Sequence, residues 1–198
     1  MEIDNMNPSD FAVMVRNIFN FLEKQSFVYS WSGGYSVRYD SSTVFVMVGY
    51  DAKRSYELAI NIGLQVGISH SVERSFTISE MLRIIGRPDL GKATNLIQAL
   101  PDEARNKIEW LAGLLREHAS GLLDGDRTLF EMMDKQREAD CRVYALQTKL
   151  AEGTREAGKA WQLKKYDEVV KHLEPLAEYL PTSEQKRLEI ARRRSQSK

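Results

Sequence analysis

Between Phe11 and Leu22 the apolar residues Phe11, Val15, Ile18, Phe19 and Leu22 recur at helical spacing, defining one face that needs a partner layer. Asn7-Pro8-Ser9-Asp10 supplies the start of that helix: a capping Asn, a proline at the first turn and an acid near the positive end of the dipole. The period then shortens to two. Phe27 to Trp31 is rich in β-formers and closes on Gly33-Gly34, a hairpin signal. Tyr35, Val37 and Tyr39 alternate with polar residues, and Asp40-Ser41-Ser42 makes a second turn. Val44, Val46, Val48 and Tyr50 alternate with Phe45, Met47 and Gly49. After Asp51 to Arg54, the run Tyr56, Leu58, Ile60, Ile62 alternates with Glu57, Ala59 and Asn61. Four short strands with tight connections predict an antiparallel meander.

Residues 65–76 carry no clear period. Beyond them the pattern is helical. Thr77-Ile78-Ser79-Glu80 reads as a capping box opening a helix that stops at Gly86-Arg87-Pro88. A short helix is expected from Lys92 to Leu100, and a longer one from Pro101 with Ile108, Leu111, Leu114, Leu115, His118 and Leu122 on one side. Asp124-Gly125-Asp126 breaks it, and the next helix runs from about Arg127 to Ala151, or further if Gly153 and Gly158 are passed through. Ala157, Ala160, Tyr166, Val169, Leu173, Leu176 and Pro181 fall where a tetratricopeptide-type helix pair keeps its contacts, with Lys165 to Glu168 as the turn. No second copy of that unit recurs. Thr182-Ser183-Glu184-Gln185 looks like a further capping box, before a helix expected to fray into the arginines from Arg192. The fold class is therefore α+β: an N-terminal helix on a four-stranded antiparallel meander, then a mostly helical C-terminal half. The division expected is an α+β domain over 1–125 and a helical extension over 126–198.

Composition adds exclusions. The 28 basic residues balance 28 acidic ones, so the chain lacks the overall basic excess that binding a nucleic-acid backbone favours. Nucleic acid is not the partner expected on this count. No stretch is apolar enough to span a bilayer, and the start from Met1 to Asp10 does not resemble a secretory signal. A single cysteine, Cys141, suits a reducing compartment, and the chain reads as cytoplasmic.

Reactive groups do not converge in the sequence. His70, His118 and His172 have no second ligand at a recognised metal spacing. Cys141 lies in a helix pattern between Asp140 and Arg142 with no base to activate it. Asp124-Gly125-Asp126 lacks the remaining ligands of a calcium loop and fits a helix stop. Gly33-Gly34 precedes a strand, and Gly67 leads into no helix, so neither forms a phosphate cradle. No cofactor and no metal are expected, and the chain reads as a non-enzyme. The basic tail fits the dipole of the last helix.

One feature points to binding. If Val44, Val46 and Val48 pack on the first helix, Phe45 and Met47 face the other way, beside Arg38 and near Glu57 and Asn61. Two readings stay open: the C-terminal helices cover these residues, or they form an open sheet face that docks a protein. On the second reading Phe45→Asp abolishes binding and spares the fold.

The order of segments adds a resemblance. Ser30-Trp31-Ser32-Gly33-Gly34-Tyr35-Ser36-Val37, then Ser55 to Ile60, then Leu122 to Phe130 and Tyr166 to Val170 together resemble small bacterial proteins associated with immunity in polymorphic toxin systems. The resemblance implies a non-catalytic protein that binds and blocks a cognate toxin; it implies no active-site residues. The alternative is an enzyme or nucleic-acid-processing accessory subunit whose site is scattered along the chain.

Overall fold

A computed structural model of the chain describes residues 7–65 and 74–196. The readings of the stretch before Asn7, of Gly67 and His70, and of the last two residues lie outside these. The chain divides into two compact units, Met1–Lys135 and Gln136–Lys198.

The first unit opens with α1 (Pro8–Ile18) and a single turn, α2 (Asn20–Glu23). Asn7 caps α1 through its side chain, which accepts a hydrogen bond from Asp10 N at 3.0 Å. A meander follows: β1 (Val28–Gly33), β2 (Ser36–Asp40), β3 (Val44–Tyr50) and β4 (Glu57–Leu64), each antiparallel to the next. The fold class is the α+β arrangement that the hydropathy pattern predicts. Val37, Tyr39, Val44, Val46, Val48, Leu58, Ile60 and Ile62 share one face and one core with Phe11 and Val15 of α1. Phe11 stacks on Tyr50 and meets Tyr35 edge-on, while Phe19 stacks on Tyr39. Each aliphatic side chain buried in this way contributes about 1.5–3 kcal/mol.

The sheet is larger than the four strands expected. β5 (Ser75–Thr77) pairs with the end of β4, so residues 75 and 76 are not irregular. The capping box forms as predicted and starts α3 (Ile78–Ile84): Glu80 N donates to Thr77 Oγ1, and Thr77 N donates to Glu80 Oε2. The helix expected over 92–100 is not there. Instead α4 (Pro88–Ala93) ends early, Leu96 takes a positive φ of 54°, and β6 (Ile97–Gln98) pairs with Leu58 and Glu57. Pro101 disfavours helix at the residue before it, which leaves this segment free to complete the sheet. α5 (Pro101–His118) then buries Ile108, Leu111 and Leu115, and α6 (Ser120–Leu123) leads to Gly125. Gly125 has φ +82° and sits against Thr43 and Val44, so the Asp-Gly-Asp stop is a tight turn pressed on β3.

A single helix, α7 (Arg127–Gln162), passes through Gly153 and Gly158 without a break. Its C-terminal part belongs to the second unit, with α8 (Tyr166–Leu173), a 3-10 segment Glu174–Tyr179 and α9 (Thr182–Ser195). The tetratricopeptide-like pattern becomes a helix hairpin: Ala157, Ala160, Val169, Leu173, Leu188 and Ala191 are buried together. Gly153 makes the close approach, since a Cβ there would lie 2.5 Å from the Leu176 side chain. Pro175 falls in the 3-10 segment, where α8 has already ended.

Two expectations fail at the C-terminus. Thr182 forms no capping box; α9 starts after Pro181, and Gln185 Nε2 donates to Leu180 O at 3.0 Å. The arginines do not fray. Arg192 Nε donates to Glu174 Oε2 at 2.9 Å, Arg187 pairs with Glu184 at 2.9 Å, and Arg194 donates to the Tyr166 hydroxyl. Arg192 and Arg194 thereby tie α9 to the 3-10 segment and to α8.

Candidate functional site

Strand register decides what shares the second face of the sheet. Arg38 stands opposite Met47, and Met47 opposite Asn61, so these three residues form one cross-strand row. Trp31 extends the row at one end and Thr77 at the other. A neighbouring row is small: Gly33, Ser36, Gly49 and Ala59. The row on the other side holds Asp40, Phe45, Gly63 and Ser75. Glu57 lies on the same face but four residues from Asn61, about 13 Å along β4. The structure therefore brings Arg38, Met47 and Asn61 together, sets Phe45 beside them and leaves Glu57 at a corner.

Exposure separates these residues. Met47 and Asn61 are half-buried and Glu57 is exposed. Phe45 is only 3 % exposed, yet it lies outside the main core cluster. Two features contribute to that burial. The Arg38 guanidinium sits 4.2 Å from its ring centroid, a cation–π contact. Gly63 leaves room for the ring, because a Cβ at that position would fall 2.5 Å from it. Arg38 is in turn held by Asp40, whose Oδ1 accepts from Arg38 Nε at 2.8 Å and from Gln65 Nε2 at 2.9 Å. Phe45 thus supports Arg38 from below and offers almost no area of its own. An aspartate there would bury a charge, so Phe45→Asp would unfold the strand pair rather than report on docking.

Trp31 is the residue that sequence reasoning missed. It is 51 % exposed, at the edge strand, and its ring lies over Gly33, where a Cβ would come within 2.6 Å of it. Strict alternation would put Trp31 on the core side with Tyr29. A bulge between the two residues shifts the register, so Tyr29 faces Tyr39 and Trp31 faces Arg38.

Elsewhere several carboxylates are held by partners close by. Asp51 is held below the usual carboxylate range by the Ser55 hydroxyl and nearby amides of its turn. Asp89, Glu156 and Glu174 are lowered in the same way by Arg87, Lys159 and Arg192 respectively. Burial pushes the Tyr39 and Tyr50 phenols up. These groups lie on separate elements and do not form an acid–base pair. His118 and His172 are half-buried on different helices, and Cys141 is exposed. Among the described residues no group of three or more His, Cys, Asp or Glu is placed to hold a metal. A cavity of about 70 Å³ lies beside Ala59 and Ile60, between α3 and β6, with Ser79, Thr94 and Leu111 in its wall. It has room for a few waters, well below the few hundred Å³ of a substrate pocket. Among the described residues no helix is long and apolar enough to cross a membrane.

Compared with known family models, curated proteins and solved structures, the chain has no significant match to any.

Proposed function

We propose that this protein is a non-catalytic protein–protein interaction module that docks its partner on the second face of the sheet, around Trp31, Met47 and Asn61. The observation that carries this reading is the row Trp31–Arg38–Met47–Asn61, in which a half-exposed indole and a half-exposed thioether flank a fixed guanidinium. Trp, Met and Arg are among the side chains enriched at protein–protein interfaces. Arg38 is already immobilised by Phe45 and Asp40, so binding need not order it.

Size sets a condition. Five adjacent strands span about 19 Å, and five to seven residues of strand about 17–24 Å. That footprint is roughly half of the ~800 Å² per partner of an ordinary complex. The Gly33-Gly34 hairpin and the Asp51–Ser55 turn at the rim must therefore join the contact. In its sharpest form the module is a cytoplasmic immunity protein that binds and blocks a cognate bacterial toxin, as the resemblance of its segments implies.

Affinity capture from the native host tests this, using the wild type, Trp31→Ala/Met47→Asp and a Lys186→Glu control in the exposed part of α9. The wild type and the control should capture the same protein, and the double variant should lose it. If that protein arrests growth, co-expression of the wild type should restore it. Equal capture by all three folded proteins would remove the sheet face from the account, and growth arrest that the wild type does not relieve would remove the immunity reading.

A further inference from the structure

We draw no further inference here: the strongest candidate, the apolar strip of Ala139, Val143 and Leu146 along the middle of α7, covers only about two helical turns, and nothing in the structure shows what covers it.

Discussion

Phe45 and its neighbours show how much a single residue's environment adds to its place in a pattern. Alternation along β3 correctly puts Phe45 opposite the Val44, Val46, Val48 face. It says nothing of whether that second face is roofed, because burial there depends on Arg38 folding back and on a glycine one strand away. Gly63→Ala should accordingly cost about 1–3 kcal/mol in urea denaturation, since its Cβ would meet both the Phe45 ring and the Arg74 carbonyl at 2.4 Å. A change below about 0.5 kcal/mol would mean the ring moves aside freely. Tyr39 gives a prediction of opposite sign. It is fully buried, and its hydroxyl has no hydrogen-bond partner among the described residues. Tyr39→Phe should therefore raise stability at pH 7, by about 1 kcal/mol. The same residue predicts an alkaline limb. An unfolded tyrosine titrates near pH 10, whereas burial raises the folded phenol above that. Above about pH 10 the unfolded chain binds fewer protons than the folded one, so stability falls as pH rises. Denaturation midpoints between pH 8 and 11 should show a flatter limb in Tyr39→Phe than in the wild type.

At the level of elements, local chemistry was legible wherever it closes on itself. The Thr77–Glu80 box needs only four consecutive residues, and it forms. Thr77→Ala should cost about 1 kcal/mol by thermal or urea unfolding, and no measurable loss would place the start of α3 elsewhere. Thr182 has the same motif without the same result, because the helix starts after Pro181 and Gln185, the residue in the reciprocal position, donates to Leu180 O instead. Long-range pairing overrode local preference at Ile97 and Gln98, where helical spacing yields to the open edge of β4. Nothing in residues 92–100 announces that edge. The β1 bulge is a related case: one inserted residue reverses the faces of everything after it, and period-two reading has no means to see it. The helix hairpin of the second unit was readable because its small residues mark a close approach. Gly153→Val should destabilise this unit, since the added methyl groups meet Leu176 and the His172 carbonyl, 3.2 Å from a Cβ. Circular dichroism melts that superimpose on the wild type would contradict that packing.

For the whole molecule, the sheet has one face committed to the core and a second face on which half-buried and exposed side chains remain. The four expected strands and the two faces of β3 were visible in the chain; the exposure of Trp31 was not. Glu57, at the far corner, should matter less than the central row, and Glu57→Ala should change partner affinity by less than about threefold. The most direct test of the account is the dissociation constant of the captured partner, measured by titration calorimetry against the wild type and Trp31→Ala/Met47→Asp, with circular dichroism of both. The account predicts superimposable spectra and binding at least about 100-fold weaker in the double variant, about 2.7 kcal/mol. Affinities within about twofold of each other, in two equally folded proteins, would contradict it.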